Sequence, residues 1–142
     1  MDQYYLEATQ ESGKAFFSQD IPGEFYMLNL LQFRELANYS EFPNLSPTES
    51  ISGKQAYQRY MKHTLPLLNA IGSEVVFQGS SGTFLIGPQA EKWDWMLLVR
   101  HKSRKAFMGL ASNKEYLAGK GHRNAALHDS RLLPIVEGSF AT

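Results

Sequence analysis

The chain has four histidines, His63, His101, His122 and His128, and no cysteine. Without cysteine there is no thiolate nucleophile, no disulfide and no Cys-based zinc or iron–sulfur site, so proton transfer falls to histidine working with carboxylates or tyrosines. The densest such stretch is GHRNAALHDSRLLPI, residues 121–135, which joins His122 and His128 with Arg123, Asp129 and Arg131. Six positions separate the two histidines, about 240° around a helix, so one helical segment cannot present both to one metal. His122 and Asp129 are seven apart and fall within about 20° of each other on the wheel. A histidine whose ring N–H meets a carboxylate is an arrangement suited to acid–base chemistry. The plain alternative is salt bridging among Arg123, Asp129 and Arg131, with His122 capping a helix end. His63 lies at the edge of a helical apolar face, beside Tyr60 and Leu67, as a ligand or general base helped by Tyr60 and Tyr57, or as a flank histidine. His101 and His128 read as surface residues.

Other side chains could hold a ligand. Asn29 shares a strand face with Phe25, Met27, Leu31 and Phe33, and a buried amide left unpaired costs ~1–3 kcal/mol. Its partner must be backbone, a dimer mate or a ligand. Arg34, on the opposite face by alternation, offers a bidentate grip on a carboxylate or a surface salt bridge. Trp93, Trp95, Tyr57, Tyr60 and Tyr116 supply aromatic surface for a core, an interface or a pocket wall. GSSG (79–82) lacks the spacing of a phosphate loop, and no Gly-x-Ser-x-Gly, EF-hand or His-Glu-x-x-His pattern occurs. No metal and no cofactor is expected.

The elements that would position these residues follow from periodicity and punctuation. Residues 3–18 read as a short helix closed by a turn at Asp20 to Gly23. FYMLNLLQFR (25–34) reads as a strand apolar on both faces. Residues 38–52, rich in serine, asparagine and proline, form a loop. Ser52 caps a helix from Gly53 to Ile71 that stops at Gly72 and carries Pro66 inside it. Ala56, Tyr57, Tyr60, Met61, Thr64, Leu65, Leu67, Leu68 and Ile71 fill its apolar half. EVVFQ (74–78) and TFLIG (83–87) read as two strands joined through GSSG, and WDWMLLVRH (93–101) as another. Ser103 caps a helix to Ala111, Asn113 starts a second one holding Tyr116, and RLLPIVEG (131–138) is a last strand, placed at an edge by Pro134.

Strand, helix, strand, extra strand, strand, helix, strand is the split βαβ order of an α+β ferredoxin-like sandwich, an antiparallel sheet with helices on one face. The bare face is apolar too, and several hundred Å² of such surface does not stay in water, so a homodimer through the sheet face is expected. Residues 23–142 form one domain, with 1–22 as a helical extension. Fourteen basic residues balance fourteen acidic ones, which gives no field for nucleic acid or an anionic membrane. No apolar run spans a bilayer and the start MDQYYLEATQ lacks signal-peptide regions, so a cytoplasmic location is expected.

From Trp93 onward the order WDWMLLVRHKSRKAF, SNKEYLAG, HRNAAL and DSRLLPIVEG resembles the family known as domain of unknown function 1330, of the dimeric α+β barrel superfamily. NLLQFRELANY and AYQRYMKHTLPLLNAIGSEVVFQG extend the likeness upstream to Phe25. The resemblance implies a ferredoxin-like protomer, a sheet-to-sheet dimer and a small-molecule cleft between sheet and helices, with no particular reaction. The functional expectation is binding of a small apolar or acidic metabolite by Asn29, Arg34, Tyr57, Tyr60, His63, Trp93, Tyr116, His122 and Arg123. The alternative is a cofactor-independent oxygenase or isomerase in which His63, or His122 with Asp129, moves a proton.

Overall fold

Alternation in FYMLNLLQF builds β1 (Phe25–Phe33), one of the two inner strands of a computed structural model that describes residues 3–19 and 23–140. It pairs antiparallel with β3 (Trp95–His101) on one side and β4 (Leu127–Ile135) on the other, and β2 (Glu74–Ser80) pairs with the far edge of β3. The order β2-β3-β1-β4 is the ferredoxin-like one, and Pro134 lies on the edge strand β4, where its missing N–H costs no ladder bond.

All four helices pack on one face. α2 (Gly53–Ala70) is opened by a capping box, in which Ser52 Oγ accepts from the Gln55 amide at 3.1 Å and Gln55 Oε1 accepts from the Ser52 amide at 2.9 Å. It ends at Gly72, whose φ of +77° suits a residue without Cβ. Its Ala56, Tyr57, Tyr60 and Leu68 join Leu31, Leu97, Val99 and Ala125 in the core. At the start of α2 the Gly53 amide donates to the Arg34 carbonyl at 3.0 Å, while the Arg34 amide donates to the Ala126 carbonyl at 2.8 Å. A Cβ on Gly53 would run into both carbonyl oxygens, so glycine lets three segments meet there. α3 (Arg104–Ala111) and α4 (Lys114–Ala126) follow β3, capped by Ser103 and Asn113. α1 (Gln10–Ser18) rests on the same side through Phe16, which meets Phe25 and Phe107 at 5.6 and 6.0 Å between centroids.

Three expectations are corrected. TFLIG forms no strand: Thr83 makes a single bridge to Lys92, and Leu85 and Ile86 are 98% and 91% exposed. β-branched and aromatic residues suggested pairing, but beyond that one bridge the segment forms no ladder. Helix begins only at Gln10, and residues before it run over the protein without helical bonds, because their amides and carbonyls are taken by distant side chains. The last strand begins at Leu127, directly after α4, rather than at Arg131. The turn expected at 20–22 lies outside the described residues.

The opposite sheet face carries Tyr26, Leu28, Leu30, Met96 and Leu98, half-buried, together with Phe77, Leu133 and Ile135, exposed. Among the described residues no helix is long and apolar enough to cross a membrane.

Candidate functional site

A cavity of roughly 300 Å3 lies between the helix-covered sheet face and α2 and α4. Alternation on the sheet supplies its floor, with Met27 and Asn29 from β1, Leu97, Val99 and His101 from β3, and Leu132 from β4. The buried stripe of α2 provides Tyr57, Tyr60, Thr64 and Leu68, and α4 provides Tyr116, Lys120 and Arg123. Phe107 and Leu110 of α3 close one end.

Apart from Glu7, Lys120 and Arg123, the polar groups inside are neutral. The Tyr60 and Tyr116 hydroxyls are hydrogen-bonded to each other at 3.0 Å. Burial pushes the Tyr57 phenol up to about 12, and burial, then the neighbouring Tyr116 and Tyr57, hold Tyr60 well above the usual phenol value. His101 is 3% exposed, stacked on Phe25 at 5.4 Å with the Phe107 ring edge-on at 5.0 Å, and its Nδ1 is 2.7 Å from Ser73 Oγ. Burial lowers its pKa to about 4, so the imidazole is neutral at neutral pH. Thr64 is 2% exposed and its hydroxyl has no hydrogen-bond partner among the described residues, not even a carbonyl of its own helix. The Asn29 amide reaches the Met27 carbonyl at 3.4 Å, the long limit for such a bond.

The segment ahead of α1 forms the roof, with Leu6, Glu7 and Ala8 over the cavity and Phe17 of α1 beside them. Side chains of α4 and β4 strap it down. Asp129 accepts from the Tyr5 amide at 2.9 Å, Ser130 Oγ donates to the Tyr5 carbonyl, and Arg123 donates to the Leu6 carbonyl at 2.7 Å. Lys120 pairs with Glu7 at 2.8 Å, and Asn124 donates to the same carboxylate. Outside the roof a wider, open groove runs past Tyr4, Arg34 and His128.

The structure therefore brings Asn29, Tyr57, Tyr60, Tyr116 and Arg123 together around one cavity and puts the other expected residues elsewhere. His122 and Asp129 do not pair. α4 ends at Ala126, so the helical spacing that would align them breaks, and His122 Nδ1 instead meets the Tyr39 hydroxyl at 2.7 Å. Burial, and then the electrostatic influence of the neighbouring Arg59 and His63, lowers the His122 pKa. Asp129 binds the strap and Arg131 at 2.7 Å. His63 meets the Glu115 carbonyl through Nε2, and its ring lies where a Cβ on Gly119 would stand, so it seals two helices rather than facing the cavity. Trp93 donates to Glu91 at 2.9 Å under the Arg131 guanidinium, and Arg34 borders the outer groove. Four polar residues of the cavity lining, Glu7, Thr64, His101 and Lys120, were not expected at the site. His101 passed for surface because it adjoins Lys102 and Ser103, although alternation with Leu97 and Val99 points it inward. Thr64 was placed on the apolar half of its helix, with no indication that its hydroxyl would lack a partner. Among the described residues no three His, Asp or Glu side chains stand close enough to hold a metal ion.

No family model matches the sequence, and no curated protein does. Solved structures do. RPA0582 of Rhodopseudomonas palustris, a protein of unknown function, is 31% identical over 96% of this chain and 99% of its own, with a TM-score of 0.86. Its methylated form is 30% identical over 98% of each chain, also at 0.86. A dimeric ferredoxin-like protein of unknown function from Jannaschia sp. CCS1 shares the fold at 10% identity, with a TM-score of 0.51 over 81% of this chain and all of that one. A ferredoxin-like antiparallel sheet with its helices on one face is thus found in this chain and in its full-length relative, and the chain belongs to the family of the Rhodopseudomonas protein RPA0582.

Proposed function

We propose that this protein is a homodimeric small-molecule-binding domain of the cytoplasm, with its ligand in the roofed cleft between sheet and helices. The observation that carries the reading is the aromatic-walled cavity of roughly 300 Å3 with a 2%-exposed threonine hydroxyl that none of the described residues bonds. A buried polar group without a partner is destabilising, and a ligand able to bond it removes the penalty. Ligand sites combine such apolar walls with a few fixed polar groups. In this reading residues 23–142 are the binding domain and 1–22 are an extension, of which Leu6, Glu7 and Ala8 roof the cleft. The dimer forms through the second sheet face, whose apolar residues suit burial, and the Jannaschia protein of this fold is described as dimeric. The family is that of domain of unknown function 1330. An absence of cysteine suits a reducing compartment.

Native mass spectrometry of the purified protein, followed by thermal-shift titration with a metabolite panel, tests the cleft. A bound or titratable compound whose effect disappears in a Leu97→Trp variant, which fills the cavity, supports the reading. A protein that stays empty across the panel refutes it.

Proton transfer without a cofactor is the second reading, and His101 with Ser73 at the cleft wall favours it. An imidazole with a pKa near 4 is a weak base at neutral pH, so binding is the better-supported function. Turnover abolished in a His101→Gln variant that still binds the ligand would reverse that order.

A further inference from the structure

Three charged side chains line the cleft among the described residues, Glu7, Lys120 and Arg123. Glu7 and Lys120 cancel each other in an ion pair of 2.8 Å. Arg123 has no carboxylate partner among the described residues. It donates through Nη1 to the Leu6 carbonyl at 2.7 Å and through Nη2 to Ser130 Oγ at 3.3 Å, both neutral acceptors. These bonds fix the guanidinium in place without cancelling its charge, and they use two of its five N–H donors. The charge is felt inside the cleft: burial raises the Tyr57 and Tyr60 phenols, and Arg123 pulls both the other way. The lining therefore carries one positive charge in excess, on a half-buried group whose attraction for an anion is little screened by water.

The hydrogen bonds point the same way. In the Tyr60–Tyr116 pair one hydroxyl donates to the other, which leaves the second hydrogen without an acceptor. The Tyr57 hydroxyl bonds none of the described residues. Both sites offer donors, and a carboxylate, with two oxygens and no hydrogen, is the group that takes several donors and a cation together. α2 and α4 run antiparallel, since Gly53 and Ala126 both bond the Arg34 backbone while His63 meets Glu115 and Gly119. Tyr57 and Arg123 each lie one turn in from that junction, at the same end of the cleft.

We propose that the ligand is a small monocarboxylic acid with a compact apolar body, its carboxylate held by Arg123 and the Tyr57 hydroxyl beneath the strap and its body lying on Met27, Leu97 and Val99. The inference rests on the cleft reading above. The cavity volume is at the small end of ligand sites, which limits the body to one or two rings. Thr64, about 10 Å further along α2 than Tyr57, meets the other end of the molecule.

Two matched pairs of probes test this by calorimetric titration at pH 7 against the intact protein, an Arg123→Gln variant and a Tyr57→Phe variant. One pair is benzoate with benzyl alcohol; the other is 2-naphthoate with 2-naphthalenemethanol. The carboxylate of at least one pair should bind at least about tenfold more tightly than its alcohol. Arg123→Gln should weaken that carboxylate about tenfold or more and leave the alcohol within about twofold, and Tyr57→Phe, which keeps the charge, should weaken the carboxylate about fivefold. Amide shifts at Asn29, Thr64 and His101 on titration place the probe in the cleft. An alcohol that binds as tightly as its carboxylate, with those shifts, overturns the ligand class while leaving the cleft in use. A carboxylate preference that survives unchanged in Arg123→Gln overturns the role of Arg123. Should that variant not fold, undiminished carboxylate binding in Tyr57→Phe overturns the placement of the carboxylate. Failure of all four probes to bind overturns both the class and the cleft.

Discussion

His101, held between two phenylalanine rings, has lost the water that would stabilise its charged form, and the consequence is measurable. In the unfolded chain it titrates near 6.5, and in the fold at about 4. Above pH ~6.5 both states are neutral and the group is silent. As the pH falls from there to about 4 the unfolded state takes a proton that the native state refuses, so stability drops by up to on the order of 3 kcal/mol. His122, also lowered by burial, acts in the same direction. Urea unfolding at pH 7.5 and pH 4.5 should show this drop, and a His101→Gln variant should show a smaller one. A Tyr60→Phe change should cost about 1 kcal/mol in the same assay, because it leaves the Tyr116 hydroxyl without its partner. At this scale the sequence was partly readable. The strand period placed Asn29 inside, and the helical wheel placed Tyr57 and Tyr60 there. The wheel failed for His122 and Asp129 because a helix-to-strand junction separates them, and side-chain spacing holds no information across a change of period.

Elements with their own punctuation were legible, and those held by distant partners were not. The Ser52 cap and the Gly72 stop delimit α2 locally. The strap before α1 is fixed by Asp129, 124 positions away from Tyr5, which no local pattern announces. Removing that anchor with Asp129→Ala should speed amide exchange at residues 5–8 at least tenfold relative to β1 and cost roughly 2–3 kcal/mol, as a buried acceptor of several donors is lost. Gly53→Ala should be as damaging, roughly 2 kcal/mol or more by thermal unfolding, because the new methyl meets two backbone carbonyls that hold β1, α2 and α4 together. The junction of α4 and β4 has no loop at all, and both Ala126 and Leu127 are fully buried. Insertions there should abolish soluble expression, whereas insertions beside the exposed Leu85 should be tolerated.

For the whole molecule, the apolar second face of the sheet should make light scattering report twice the chain mass at micromolar concentration, and Leu98→Glu, at its middle, should return the protein to a monomer. That face was legible from strands apolar on both sides; the roof over the other face was not. The roof also has a kinetic meaning. Leu6 and Glu7 lie across the cavity and are tied to α4 by bonds from Arg123 and Lys120, so on the cleft reading those bonds stand over the way in and out. Capture should then run at the pace of strap opening: the observed association rate should level off as ligand concentration rises, and residence time should shorten in Asp129→Ala even where the cavity itself is untouched. In the proposed function, a strap tied in this way favours slow release over fast response.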